Sequence, residues 1–316
     1  MHPAKSVIFF TTASGAGYGL LIWLAVANAL GLLPASWGFA LAAFAASLGL
    51  ITAGLLSSTM HLGHPERAWR AMSQWRSSWL SREGLAALAT YGPAGLFAFF
   101  WIVFGARDGL LALLGLLAAA GALATVYCTA MIYASLKTIR AWHTPWTFIC
   151  YAAFSLMTGG LLLCFLARLW DLADANVFAS ASLLLIGAAF LSKAFYWKHL
   201  DGGHSQSTAE TATGLGDFGK VSMLEPPHTE KNYLLKEMGF QIARKHAQKL
   251  RSITWVTLFA VPLVATGLSL AVAGTPATLL AFVGVLSAAL GIIVERWLFF
   301  AEAQHVVTLY YGASSA

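Results

Sequence analysis

Eight long apolar stretches, separated by mostly short polar gaps, limit what this chain can fold into more than any other feature. They run from Val7 to Leu33, Trp37 to Leu62, Gly84 to Gly105, Gly109 to Leu136, Phe148 to Arg168, Asn176 to Tyr196, Ile253 to Ala273 and Pro276 to Phe300. About 20 apolar residues wound as a helix cross the hydrocarbon core, because only a helix satisfies every backbone polar group within its own segment. The expectation is an all-α polytopic membrane protein with eight transmembrane helices in a single membrane domain, residues 1–316.

Composition closes the soluble alternatives. With 59% hydrophobic residues, 10% charged residues and a mean hydropathy of +0.71 over 316 residues, a water-soluble globule is excluded. The net charge of +6 then reads as topology rather than nucleic-acid binding. Of the 19 lysines and arginines, all but Arg107 and Arg168 fall at the termini or at the second, fourth and sixth gaps. Cytoplasmic loops carry the excess of Lys and Arg, so both termini are expected in the cytoplasm and the chain in the cell inner membrane. A basic face can also dock an acidic partner.

The three cysteines, Cys128, Cys150 and Cys164, lie in apolar spans without C-x-x-C or C-x-x-C-H spacing. Disulfide scaffolds, covalent haem and iron–sulfur ligation need spacings absent here, and buried membrane thiols remain. The first span has no small-residue cleavage site before it and reads as a retained helix. Tryptophans near span ends, among them Trp37, Trp69, Trp75, Trp79, Trp142, Trp146, Trp170, Trp197, Trp255 and Trp297, suit an aromatic belt at the headgroup level.

The sixth gap, about 197–251, is the one long soluble segment. After Pro226 and Pro227 it reads as an amphipathic helix capped by Thr229, with Leu234, Leu235, Met238 and Ile242 on its apolar side. Its Gly214-x-Gly-x-x-Gly219-Lys220 run matches phosphate-binding patterns only superficially, since Val221 stands where a phosphate loop needs Ser or Thr. Gly15, Gly17 and Gly19 sit inside the first span, where small residues let helices approach.

Chemistry concentrates in Ser58-Thr-Met-His61-Leu-Gly63-His64-Pro65-Glu66-Arg67-Ala-Trp69-Arg70 and in Trp79-Leu-Ser81-Arg82-Glu83-Gly84. Gly63 and Pro65 stop the second span and leave His61 in its last turn. Ser81 reads as the N-cap of the third span, with Glu83 in its first turn. If the two spans are neighbours, an imidazole and a carboxylate share one membrane level. Quinone chemistry needs that pair, because two protons move with two electrons at the edge of hydrocarbon and both groups titrate there.

His61-Leu-Gly63, Pro65-x-Arg67-Ala-Trp69 and Ser81-Arg82-Glu83 resemble the membrane anchor subunit of the dimethyl sulfoxide reductase family. That resemblance implies a quinone site at His61 and Glu83, with Arg67, Ser81 and Arg82 adjacent. It also implies partner subunits carrying iron–sulfur clusters and molybdopterin. The blocks Ala130-Met-Ile-Tyr133, Trp142-His143-Thr-Pro145-Trp146, Glu225-Pro-Pro-His228-Thr and Glu295-Arg296-Trp297 look closer to the anchors of cytoplasmic sulfite dehydrogenases. Electrons would then run from sulfite to ubiquinone or menaquinone, with partners docked on a cytoplasmic face that includes Arg70, Arg76, Lys137 and Arg140.

Three other readings stand beside this one. The nearest is a menaquinol-oxidising anchor of the sulfoxide reductase type. A di-haem cytochrome b needs histidines paired across the bundle, whereas these nine lie in loops, tails or, for His61, a span end, so neither haem nor metal is expected in this chain. A transporter would show inverted repeats and charges at mid-membrane, and no span has a charge near its centre. Glu295, Arg296, Glu302 and His305 read as a structural ion network.

Overall fold

The structure is a computed structural model that describes residues 5–60, 62–203, 207–225, 227, 245–313 and 315. It is all-helical, built on eight helices long and apolar enough to cross a membrane. These are α1 (Lys5–Ala29), α2 (Trp37–Thr59), α3 (Trp79–Phe104), α4 (Leu110–Ala134), α5 (Pro145–Leu169), α6 (Ala175–Asp201), α7 (Ala247–Ser269) and α8 (Thr275–Ala301). Local chemistry sets their ends. Ser36 and Thr144 cap α2 and α5 by accepting from the backbone N–H groups of Phe39 and Trp146. Pro145 and Pro276 open α5 and α8, and Gly105, at φ +65°, closes α3 in the left-handed conformation.

α1 sits at the centre, against α2, α4, α5 and α8. Between lipid-solvated helices the attraction comes from close packing and interhelical hydrogen bonds rather than from water exclusion. Gly17 and Gly19 supply the close packing. A Cβ on Gly17 would meet the Ser47 carbonyl oxygen at 2.6 Å, and one on Gly19 would overlap the Ser155 carbonyl. Serines add the bonds, with Ser47 donating to the Gly17 carbonyl at 2.9 Å, Ser155 to Gly15 at 2.6 Å and Ser57 to Ser6 at 3.0 Å.

α7 contains a π-helical stretch, Trp255–Ala260, in which the Val261 N–H reaches the Val256 carbonyl. Its cause is Pro262, which has no N–H to offer the carbonyl one turn back, so the turn widens. The widened turn sets Trp255 against Phe190 and Trp197, at centroid distances of 4.7 and 4.8 Å.

The two cations that break the charge asymmetry tie loops together. Arg107 donates to Asn28 Oδ1 at 3.1 Å and to the Leu33 carbonyl, while Asn28 donates back to the Arg107 carbonyl at 2.9 Å. Arg168 donates to Asn176 Oδ1 at 2.6 Å and to the Ser269 carbonyl at 2.9 Å. Arg107 thus ties the loop after α1 to the loop after α3, and Arg168 satisfies the Ser269 carbonyl at the end of α7.

Several expectations shift. α2 ends at Thr59 and not at Leu62, while α6 continues to Asp201, well past Tyr196. Trp142 and Trp197 are buried, with their indole N–H groups on the Phe299 carbonyl and on Glu302, so they are not belt residues. The Gly214 segment follows a short helix, Ala209–Thr213, rather than a strand. The amphipathic helix expected from Thr229, with Leu234, Leu235, Met238 and Ile242, lies outside the described residues.

Candidate functional site

Three of the expected site residues, Ser81, Arg82 and Glu83, lie in the first two turns of α3. Ser78, and not Ser81, is the N-cap, since its hydroxyl accepts from the Ser81 N–H at 3.5 Å and the helix opens at Trp79. This start moves Ser81 inside the first turn and Glu83 into the second. Ser81 therefore has no capping role, and its buried Oγ has no hydrogen-bond partner among the described residues. Arg82 turns back over the preceding loop, donating to the Trp75 and Arg76 carbonyls at 2.8 and 2.7 Å, with its guanidinium 4.2 Å from the Trp79 ring. The guanidinium thereby holds the loop to the start of α3.

Glu83 points into the bundle, 3% exposed, and accepts a hydrogen bond from Thr129 of α4. Its partner thus comes from α4 rather than from α2, because α3 packs chiefly on α4. Where α2 passes α3, an apolar groove lined by Leu41, Leu48, Leu56 and Ile102 faces the lipid. The hydroxyls of Thr52 and Tyr91 bridge the two helices there at 2.6 Å. His61 lies outside the described residues.

The loop before α3 forms a 3-10 helix, Pro65–Gln74, started by Pro65 and Glu66. Its side chains are exposed, with Trp69 at 65%. Arg70 and Arg76 lie over the rings of Trp69 and Trp75, at 5.5 and 5.2 Å, and Arg67 stands 3.7 Å from Glu66. Lys137 is exposed after α4. Arg140 instead donates to the carbonyls of His199 and Leu200, at 2.7 and 3.4 Å, and so caps the end of α6.

Sequence reasoning placed Glu295 and Arg296 in an ion network but missed their buried partner, Lys193. Lys193 of α6 and Glu295 of α8, each 1% exposed, meet at 2.5 Å, and Arg296 approaches the other carboxylate oxygen at 3.7 Å. In the sequence Lys193 and Arg296 look like face charges, yet both are buried. A lysine inside an apolar run is the available signal, since ionisable residues at membrane depth are functional candidates by default. The expected Glu295–Arg296–Glu302–His305 network divides, because Glu302 pairs with Arg251 at 2.7 Å and Arg251 with Asp201. Thr129 carries no signal beyond being one threonine among many.

The eight-helix bundle carries a buried carboxylate near the start of α3, close in sequence to a basic, aromatic loop. The chain belongs to the DMSO reductase anchor subunit (DmsC) family, whose profile matches residues 1–312. It is 33% identical to a sulfite dehydrogenase subunit of Allochromatium vinosum, across 98% of this chain and 99% of that one. No solved structure matches it. It is thus the anchor subunit of a complex of the DMSO reductase and sulfite dehydrogenase type.

Proposed function

We propose that this anchor is quinone-reactive and passes electrons between a docked iron–sulfur subunit and the membrane quinone pool, from sulfite oxidation to quinone. Family membership implies association with catalytic molybdoenzyme subunits. The name of the relative supports sulfite as the substrate of such a partner. With both termini in the cytoplasm, the partners dock on the cytoplasmic face of the inner membrane. Arg67, Arg70, Arg76 and Lys137 give that face its positive charge, which suits steering of an acidic partner.

The observation that carries the quinone reading is Glu83, a buried carboxylate whose one side-chain hydroxyl partner among the described residues is Thr129. Such groups are costly at this depth unless they serve a ligand or a proton. Glu83 suits a quinone headgroup, because its carboxylate can hold or release a proton beside a carbonyl oxygen, and Ser81, two positions earlier on α3 and so on a different face of the helix, is the expected separate donor. A bound quinone supplies a two-electron, two-proton couple. Thr129 fixes the Glu83 carboxylate, Arg82 holds the loop over it, and His61 is the expected second proton carrier. Sulfite oxidation and quinone reduction both exchange protons on the cytoplasmic side, so turnover separates no charge directly.

Purification of the tagged chain in mild detergent, with mass spectrometry and an optical spectrum, tests this reading. Iron–sulfur and molybdenum subunits should co-purify without a haem Soret band. A chain that purifies alone and drives solute uptake would make it a transporter, and a Soret band would make it a cytochrome.

A further inference from the structure

The Glu83 reading leaves a second polar centre unused. Beyond the Lys193–Glu295 contact, the Arg296 guanidinium lies 3.8 Å from the Tyr151 ring centroid and Lys193 Nζ lies 4.1 Å from that of Tyr196. Tyr151 and Tyr196 are buried with the three charges. Among the described residues, four polar atoms here have no hydrogen-bond partner: Glu295 Oε2, Arg296 Nε and the two tyrosine hydroxyls. Buried polar groups are almost always paired, and hydrocarbon offers no water to make up the loss. Three of these atoms, the two tyrosine hydroxyls and Arg296 Nε, can donate and only Glu295 Oε2 accepts, so the cluster is short of an acceptor. The neighbouring charges do not provide one, since Arg251, Glu302 and Asp201 close on one another and on the Trp197 indole.

An independent feature adjoins the cluster. Deeper in the membrane, an apolar crevice of about 280 Å³ opens between α1, α5 and α8, lined by Phe9, Ala13, Thr158, Leu162, Ala289 and Ile292. Ile292 precedes Glu295 and Arg296 by one turn and Thr158 follows Tyr151 by two, so the crevice continues the same helix faces. Phe9 and Ile293 at its rim are exposed on the lipid-facing surface. Polar donors at one end and an apolar slot at the other suit an amphiphile with a carbonyl headgroup and a hydrocarbon chain.

We propose that this cluster and crevice form a second quinone-binding site, in which Tyr151, Tyr196 and Arg296 donate to a headgroup carbonyl and the crevice takes the start of the isoprenoid chain. The proposal rests on the chain being quinone-reactive, but not on Glu83 being the site. Tyr133, one turn beyond Thr129 on α4, stacks on Tyr151 at 6.2 Å and sets the two centres side by side.

The test is photolabelling of the purified complex in lipid nanodiscs with an azidoquinone, with and without excess unlabelled quinone, followed by peptide mapping. Competed label is expected on α3 near Glu83 and on α5 or α8 between Thr158 and Ile292. Tyr151→Phe and Tyr196→Phe remove only the hydroxyls and leave the Lys193–Glu295 pair intact. Each should weaken the α5/α8 labelling roughly five- to tenfold without changing that on α3. Ile292→Trp should fill the crevice and abolish it. Label at α5/α8 that quinone does not compete would mean a lipid chain and overturn the proposal, as would competed label on α3 alone. Competed label on α5/α8 alone would support the second site and move the first away from Glu83. No competed label anywhere would overturn the proposal and the quinone reading together.

Discussion

Lys193 and Glu295 form a pair whose energetics can be worked from the structure. At 2.5 Å and 1% exposure each, their gross attraction at an effective dielectric of about 20 is about 7 kcal/mol. Desolvation costs several kcal/mol per ion, so the intact pair contributes little net stability. Removing one partner is a different matter, because the ion left behind keeps its desolvation cost. Lys193→Met leaves Glu295 with Arg296, which stands at 3.7 Å and can close in, so a loss of about 3 kcal/mol is expected. Glu295→Gln leaves two cations facing each other in an apolar site and should cost more, about 5 kcal/mol. The double variant retains a single cation, and its loss should be smaller than the sum of the two, with a coupling of at least about 2 kcal/mol. Equilibrium unfolding in mixed dodecyl maltoside and SDS micelles, followed by tryptophan fluorescence, reads all four proteins. A loss below about 1 kcal/mol for Lys193→Met, the value of a surface pair, would show that water reaches the site and that the dry description is wrong.

Other consequences follow from particular contacts. Gly19→Ala and Gly159→Ala each force a Cβ into the backbone of the facing helix, α5 or α1, and should destabilise by about 1–3 kcal/mol in the same unfolding assay. Ser78→Ala removes a long cap bond at 3.5 Å and should cost about 0.5–1 kcal/mol. Ser81→Ala removes a hydroxyl with no partner, so its stability should be unchanged while the KM for quinone rises. Arg107→Met cuts the ties to Asn28 and the Leu33 carbonyl, and proteolysis of the 105–109 turn should accelerate while the α3 end of the bundle stays protected.

The spans were legible because hydrophobic length is a physical requirement of the bilayer, and all eight expected runs are helices. Their ends were less legible. Hydropathy marks where hydrocarbon stops, but α6 runs on through Lys198 to Asp201 and α3 starts at Trp79, because helices continue into the interface until a cap or glycine stops them. The sequence pointed to Ser81 as the cap of α3, and the start of the helix three residues earlier, on Ser78, is what leaves the Ser81 hydroxyl without a capping bond. Glu83 is visible from its place at a span end. Thr129 and Tyr151 are not, since what brings them to a carboxylate or an arginine is the packing of α3 on α4 and of α5 on α8. Lys193 is hidden for another reason: a lysine eight residues from a helix end looks like a topological charge until its partner on α8 is known.

The most direct test of quinone reactivity at the start of α3 compares two activities of one purified complex: sulfite-dependent quinone reduction and reduction of an artificial dye by the soluble partners. Glu83→Gln keeps the shape of the side chain and its bond from Thr129 but cannot carry a proton. It should lower quinone-coupled turnover by about 10²–10⁴-fold, with dye activity and the composition of the complex unchanged, and His61→Ala should act in the same direction. Quinone-coupled turnover that survives both substitutions at the wild-type rate would contradict a proton-carrying role for Glu83 and place the site elsewhere in the bundle.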